Sequence, residues 1–283
     1  MSDTSSTSSF FSSYSSAIPS ASCSGTSSSS VYNFNRLLNM DYEKGTINND
    51  LSDIGQGSDN VFYALNAISS NTRDGLYALR VELRDTNEMV YGGTRAECDA
   101  DGILTCRYIP GDNFYYGFSI YIPFPWPADD EIAPYADIIF QWKHTAAGPD
   151  AMLISKHDRW YLRYNYGEPA APVKMQIELT TDLNEDKWND FIFHFKWFTN
   201  LQGLIEVWHK TDSQSTYDKI LSTNTPNCMN YHNIAGGEHG YIKWGLYCPK
   251  WNETNKTSVS RRILFYDNIR VSSNNRNEVD PGL

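Results

Sequence analysis

The chain has 283 residues, aromatic residues make up 14% of it, and its formal net charge is −11. This length suits one large domain with a well-buried core and an appendage. An acidic chain without a basic patch excludes nucleic acid as an expected partner, and no apolar run is long enough to predict a membrane span. An acidic polymer stays compatible, because a few Lys and Arg residues concentrated in one groove can bind it.

The N-terminal residues 1–31 are dominated by serine, as in SSTSSFFSSYSS and SGTSSSS. Such a composition cannot bury enough apolar surface to offset its ordering entropy, so we expect a flexible segment. The segment has no sustained apolar stretch of the kind found in a signal peptide, which leaves the route of export open.

From residue 32 onward, apolar and polar residues alternate with the period of two that is typical of half-buried β-strands. The clearest segments are 76–84, 116–122, 160–166, 175–179, 191–197, 204–208, 241–247 and 262–271. No helix of ordinary length is predicted. We therefore expect residues 32–283 to form a single all-β domain, a two-sheet antiparallel β-sandwich of the jelly-roll (concanavalin-like) type.

The five cysteines suggest an oxidising compartment. We predict that Cys98, Cys106, Cys228 and Cys248 form two disulfides, with Cys23 left over. Their pairing stays open, and free thiols in a reducing compartment are the alternative. The tandem glycosylation acceptors at Asn252 and Asn255 favour an extracellular, secreted protein.

Strand parity predicts a polar face, because residues i and i+2 of a strand share a side. Tyr241, Lys243 and Tyr247 alternate with apolar residues and should project together from the outer face of their strand. Arg95 and Glu97 likewise share one side of an earlier strand. The alternative is an ordinary solvent-facing sheet surface without a function.

A third strand shows the same alternation around Gln141. Parity places Ile138, Phe140 and Trp142 on the core face, so Gln141 and Lys143 should point away from the core. Three strands thus offer amide, acidic and basic groups on one face. A sheet surface with this lining is typical of a binding groove.

Three motifs occur in this order: Arg95-Ala-Glu97, Gln141-Trp-Lys143-His144 and Tyr241-Ile-Lys243-Trp-Gly245-Leu-Tyr247. They resemble the Arg-x-Glu, Gln-x-His and Tyr-x-Lys-x-Gly-x-Tyr motifs of jelly-roll alginate lyases. The framework between them is closer to the glucuronan-lyase-like and heparin-lyase-I-like members of the jelly-roll polysaccharide lyases, in segments such as YYGFSIYIP and KWNDFIFHFKW. The resemblance covers roughly residues 75–272.

The resemblance implies a β-elimination, in which a base removes the C5 proton of a uronic acid and an acid protonates the departing C4 oxygen. The uronate carboxylate must be neutralised, because its charge otherwise makes the C5 proton too weakly acidic. Carried over by position, Arg95 and Gln141 hold the carboxylate and Tyr247 acts as acid and base. Lys243 would support Tyr247, since a nearby cation favours a phenolate.

The motif around Gln141 departs from the family pattern, because Lys143 stands where the family has His and the imidazole follows at His144. We count both residues as catalytic candidates. In a regular strand His144 faces the core, unless the strand bulges or ends there. Lys143 could instead neutralise the carboxylate and leave both proton transfers to Tyr247. The same departure favours the alternative of a domain that binds without catalysis.

Substrate contacts are predicted for four further residues, Glu97, Tyr241, His239 and Trp160. Related sandwiches also imply a structural Ca²⁺, a cation that prefers oxygen ligands. Its candidate ligands are Glu43, in the MDYEKG segment that we expect to be the opening strand, and Asp267 in the closing strand. Plain surface carboxylates are the alternative.

These features predict a lyase that cleaves an acidic, uronic-acid-containing polysaccharide, with glucuronan as the first choice of substrate. A non-catalytic carbohydrate-binding or structural surface module on the same fold is the alternative. A glycoside hydrolase is disfavoured, because the Glu-x-Asp-x-x-Glu run of laminarinase-like sandwiches is absent. We expect a monomer.

Overall fold

The computed structural model describes residues 36–128, 137–145, 148–230, 238–249, 251 and 257–283. The serine-rich segment, Cys23 and the acceptors Asn252 and Asn255 lie outside these residues. No helix in the described ranges is both long and apolar enough to cross a membrane.

Fifteen strands and two short 3-10 helices, Leu104–Cys106 and Arg276–Val279, make up the regular structure of the described residues. The strands are β1 (Leu38–Met40), β2 (Gly55–Ser58), β3 (Leu65–Ile68), β4 (Ala78–Arg84), β5 (Thr94–Asp99), β6 (Asn113–Tyr121), β7 (Asp137–His144), β8 (Pro149–Lys156), β9 (Arg159–Tyr166), β10 (Val173–Glu178), β11 (Trp188–Lys196), β12 (Leu204–Thr211), β13 (Asp218–Asn224), β14 (Gly240–Cys248) and β15 (Arg261–Ser272).

The strands form two antiparallel sheets. The eight-stranded sheet has the order β13-β12-β11-β6-β15-β4-β3, with β1 paired to β15. The seven-stranded sheet has the order β10-β9-β8-β7-β14-β5-β2. This architecture confirms the predicted all-β sandwich, and each strongly alternating segment of the sequence lies mainly within a strand.

Aromatic side chains from both sheets fill the space between them. Phe118 of the eight-stranded sheet stacks on Phe140 of the seven-stranded sheet, with ring centroids 4.2 Å apart. The rings of Trp142 and Phe193, again from opposite sheets, have centroids 4.8 Å apart and are tilted by 56°. Such contacts exclude water from the core faces, so the polar residues that alternate with them must lie on the outer faces.

Trp160 belongs to this core, which corrects its prediction as a substrate contact. Its side chain is fully buried, its indole N–H donates to the carbonyl oxygen of Leu183 at 3.3 Å, and its ring meets Phe191 edge to face. It shares its side of β9 with buried Leu162. A sugar on the outer face cannot reach it.

The opening strand also differs from the prediction. Strand β1 ends at Met40, and residues 41–45 form a turn rather than a strand. Tyr42 within that turn has a positive φ of 58°, a conformation that does not continue a strand.

The predicted disulfides are wrong: Cys98, Cys106, Cys228 and Cys248 are buried thiols. Cys98 lies on the core side of β5, and burial raises the pKa of the Cys106 thiol to about 12. The Cys248 thiol donates to the carboxylate of Asp137 at 3.0 Å. These cysteines act as small core residues, which is common for buried thiols.

Reducing agent should therefore leave the thermal unfolding midpoint unchanged, because none of these four thiols is cross-linked. Alkylation of the denatured, unreduced protein should modify all four. A native disulfide is worth about 2–5 kcal/mol, so a fall of several degrees in dithiothreitol would contradict the structure.

Candidate active site

Five polar residues meet on the outer face of the seven-stranded sheet. They come from three neighbouring strands and are Arg95 and Glu97 on β5, Gln141 on β7, and Lys243 and Tyr247 on β14. Strand register brings them together, since Tyr247 lies opposite Arg95 and Lys243 lies opposite Gln141. We call this set the Glu97 cluster.

The carboxylate of Glu97 joins the cluster. Its Oε2 accepts from Lys243 Nζ at 2.9 Å and from Arg95 Nη1 at 3.2 Å. Its Oε1 accepts a short hydrogen bond from the side-chain amide of Gln141. Every one of these four side chains is buried, and Glu97 is only 2% exposed. Glu97 thus holds groups on three strands in fixed positions.

The charges of the Glu97 cluster do not cancel. Two cations, Arg95 and Lys243, share the single carboxylate of Glu97. Lys143 adds a third cation nearby, and burial followed by repulsion from Lys243 lowers its pKa. Before the neighbouring carboxyl groups of Asp99 and Asp150 are counted, positive charge thus exceeds negative charge here, and such an excess in a poorly solvated place favours an anionic ligand.

Tyr247 lies at the edge of the Glu97 cluster under the guanidinium of Arg95, whose Cζ is 3.9 Å from the centre of the phenol ring. Its ring fills the space beside Gly93, where a Cβ would come within 2.4 Å of it. Within the described residues the Tyr247 hydroxyl makes no hydrogen bond. The amine of Lys243 binds Glu97, so Arg95, rather than the predicted Lys243, is the cation in contact with Tyr247.

Irregular backbone on β14 sets the position of Tyr247. Gly245 has a φ of +141°, which side-chain-bearing residues rarely adopt. The pairing with β7 shifts register between Trp244 and Tyr247, so Tyr247 comes opposite Ile138.

A second irregularity, between Ile138 and Phe140 on β7, corrects the predicted facing of Ile138. That residue packs with Met152, Ile154 and Tyr247 on the outer face, whereas Phe140 and Trp142 face the core as predicted. The bulge adds one residue to β7, so the residues before it point to the face opposite to the one that simple alternation predicts.

Lys143 lies half-buried beside the Glu97 cluster and donates from Nζ to the carbonyl oxygen of His144 at 2.6 Å. Its charge interacts with Arg95, Glu97 and Asp150. Burial raises the pKa of Asp150 to about 7, although this carboxylate accepts from Tyr108 and from the amide of Met229. Lys143 therefore lies where it interacts with the charges of the site, and its role as a neutraliser of a substrate carboxylate stays a prediction.

His144 does not join the Glu97 cluster, which corrects its prediction as a catalytic residue. It ends β7, is 2% exposed, and has its Nδ1 3.6 Å from the carboxylate of Glu238. Burial, with a smaller effect of Lys143, lowers its pKa to about 3. His144 points to the same side of β7 as the core residue Trp142, as residues two apart in a regular strand do.

Tyr241 and His239 border the cluster. Burial raises the pKa of Tyr241, helped by the negative charges of Asp99, Asp101 and Glu97. His239 is held by Asp101, with 2.7 Å between Nε2 and Oδ1. Tyr241 lies two residues before Lys243 on β14 and His239 just before that strand, and their predicted substrate contacts stay predictions.

Asp99 lies on the same face but was not among the residues predicted from the motifs. It shares the side of β5 with Arg95 and Glu97 and lies opposite Lys243 in register. Burial raises the pKa of its carboxyl group, while Lys243 opposes that rise. The sequence could have indicated it, because Asp99 follows Glu97 by two residues, just as Glu97 follows Arg95, and should therefore lie on the same face of the strand.

The proposed calcium ligands do not fit a cation. The carboxylate of Glu43 accepts hydrogen bonds from the backbone amides of Leu76 and Tyr77 at 2.8–3.1 Å. Asp267 accepts from the amides of Arg73, Asp74 and Asn268, and burial raises its pKa to about 7. Backbone N–H groups occupy these oxygens, and the described residues contain no group of three or more His, Cys, Asp and Glu suited to a metal ion.

Comparisons with known proteins identify one matching family. The family model described as polysaccharide lyase matches residues 43–270. No curated protein matches the chain.

Solved structures of similar fold include three polysaccharide lyases. An endo-β-1,4-glucuronan lyase from the fungus Trichoderma reesei has a TM-score of 0.68 at 18% identity, covering 87% of this chain and 98% of that one. The alginate lyase A1-II′ of polysaccharide lyase family 7 has a TM-score of 0.55 at 11% identity, covering 84% and 100%. A marine PL-14 alginate lyase from Aplysia kurodai has a TM-score of 0.56 at 8% identity, covering 84% and 99%.

Glu97→Gln should lower the free energy of unfolding by about 3 kcal/mol, because it leaves two buried cations without their carboxylate. Urea denaturation measures this loss. The matched control is Glu178→Gln, whose partner Arg159 is exposed, and it should scarcely move the unfolding midpoint. Equal effects of the two substitutions would contradict the role given to Glu97.

Proposed function

The chain belongs to the polysaccharide lyase family, and we propose that it cleaves a uronic-acid polymer by β-elimination at the Glu97 cluster. One observation carries the proposal: two cations share one buried carboxylate beside a half-buried tyrosine whose hydroxyl makes no hydrogen bond within the described residues. This arrangement supplies positive charge for a substrate carboxylate and a proton-transfer group next to it.

Arg95 and Gln141 would hold the uronate carboxylate. The Gln141 amide has two N–H groups and gives one to Glu97, which leaves the other for a ligand. The guanidinium of Arg95 has five N–H donors in a rigid fork. Its Nη1 donates to Glu97 and its Nη2 to the carbonyl oxygen of Tyr91 at 3.3 Å, which leaves a second N–H on each of these two nitrogens for a ligand. Neutralising the carboxylate stabilises the negative charge that develops when the C5 proton leaves.

Tyr247 would perform both proton transfers. Its phenolate takes the proton from C5, the C4–O bond breaks, and the phenol returns that proton to the C4 oxygen, so the tyrosine ends as it began. The Arg95 guanidinium lies over the Tyr247 ring, so a positive charge is next to the group that would carry the proton. Lys143 contributes charge at the position where the family motif has His.

Glucuronan is the first choice of substrate. The support is the likeness of fold to the Trichoderma reesei glucuronan lyase, which aligns with a higher TM-score than the alginate lyases compared above. We also propose that the protein acts outside the cell, because polymers of this kind are too large to be taken up intact. We further propose that it acts as a monomer.

A non-catalytic carbohydrate-binding module is the second candidate function. Lys143 in place of the family's His favours it, as does the buried, neutral His144 next to it. Such a module would keep the cationic face but lack turnover.

The unsaturated uronate formed by β-elimination absorbs in the ultraviolet, which gives a direct assay on glucuronan, alginate, heparin, heparan sulfate and ulvan. Wild-type protein should produce a rise on at least one of them, glucuronan first. Tyr247→Phe should lower kcat by about 10²–10⁴-fold, because it removes the acid–base group.

Tyr121→Phe is the control, since this tyrosine lies on β6 of the other sheet and bonds Asp186; it should keep full activity. No product from folded wild-type protein on any of the polymers, together with binding to one, would establish the binding module instead.

A further inference from the structure

A row of outward side chains crosses the seven-stranded sheet from the Glu97 cluster. On β7 Gln141 lies opposite Met152 of β8, and Met152 lies opposite Arg163 of β9. Strands in a sheet are about 4.8 Å apart, so Arg163 lies roughly 10 Å from Gln141 on the same face. The core side of β9 is taken by its alternate residues, such as Leu162, which confirms the outward direction of Arg163.

The surface between these two points is apolar. Ile138, Met152 and Ile154 form a small buried cluster on the outer face, with Tyr161 and Tyr247 packed against it. These three side chains are themselves buried, so the rings that a ligand can reach there are those of the half-buried Tyr161 and Tyr247. Aromatic rings of this kind suit the C–H faces of sugars, which pack against them.

Arg163 differs from the other arginine on its side of β9. Its half-buried guanidinium donates from Nη2 to the side-chain oxygen of Gln176 at 2.8 Å. Within the described residues no carboxylate pairs with it. Arg159, by contrast, has the carboxylate of Glu178 at 2.7 Å. Burial lowers the pKa of Arg163, with no charged group acting on it.

We propose that Arg163 is a second carboxylate-binding subsite, which holds another uronate of the same polymer while the Glu97 cluster holds the uronate that reacts. The inference rests on the proposed function and deepens it. A guanidinium offers a planar fork that matches a carboxylate with two parallel hydrogen bonds, and Gln176 would keep this fork oriented. In a chain with a net charge of −11, an uncompensated cation on the substrate face is a specific feature.

The subsite has a consequence for substrate choice. A polymer with a carboxylate on every sugar can place one at each of the two points, whereas a short fragment that occupies only the Glu97 cluster cannot. The protein should therefore prefer long polyuronates, and Arg163 should contribute to KM and not to kcat.

The test compares Arg163→Gln with Arg159→Gln, which removes the same charge from the same side of the same strand but from an existing ion pair. Kinetics on glucuronan and on its shortest cleavable oligomer are measured together with binding of glucuronan by calorimetry. Arg163→Gln should raise KM and Kd for the polymer on the order of tenfold. It should leave kcat, and KM for the short oligomer, unchanged, and Arg159→Gln should behave as wild type.

The outcomes separate the two proposals. Cleavage by wild type with an unchanged polymer KM in Arg163→Gln overturns the subsite and leaves the lyase standing. Binding without cleavage by wild type overturns the lyase, and a weaker Kd in Arg163→Gln then still supports the subsite. An equal rise of the polymer KM and Kd in both variants shows a general charge effect and overturns the subsite. Neither binding nor cleavage by wild type overturns both.

Discussion

The buried carboxylate of Glu97 is the constraint around which the outer face of the seven-stranded sheet is organised. A carboxylate that is 2% exposed is stable only with compensating charge and hydrogen bonds. Arg95, Lys243 and Gln141 supply them from three strands. These hydrogen bonds fix the three flexible side chains before any ligand binds. Electrostatic catalysis requires such preorganisation.

The sandwich makes this arrangement possible because each strand serves two faces. On β14 Trp244 packs into the aromatic core while its neighbour Lys243 reaches Glu97. A slip of one residue in register would move the cations into the core and the tryptophan to the surface. The core therefore fixes the register of the site, and the register shift beside Gly245 brings Tyr247 opposite Ile138.

Much of this could be predicted from the sequence, because alternation alone gives the side of the sheet for Lys243, Tyr247 and Gln141. Prediction failed where a local feature overrides the pattern. The bulge on β7 turned Ile138 outward, and bulges leave no clear trace in the order of apolar residues. For Trp160 the pattern was right and the interpretation wrong, since its parity with Leu162 already placed it in the core.

The cysteines show a second kind of feature that could not be predicted from the sequence. Spacing suggested cross-links, but whether two thiols pair depends on distances that only the fold provides. That no carboxylate among the described residues pairs with Arg163 could not be predicted either. Sequence places an arginine on a face, but only register decides that Glu178 pairs with Arg159 while Gln176 faces Arg163.

The central claim is that a uronate binds the Glu97 cluster with its C5 beside Tyr247. A crystal structure of the Tyr247→Phe protein with a bound uronate oligosaccharide tests it most directly. The claim predicts one sugar carboxylate within hydrogen-bond distance of Arg95 and Gln141, and the C5 carbon of that sugar facing the ring of residue 247. An oligosaccharide bound elsewhere on the protein, with the Glu97 cluster in contact only with solvent, would contradict it.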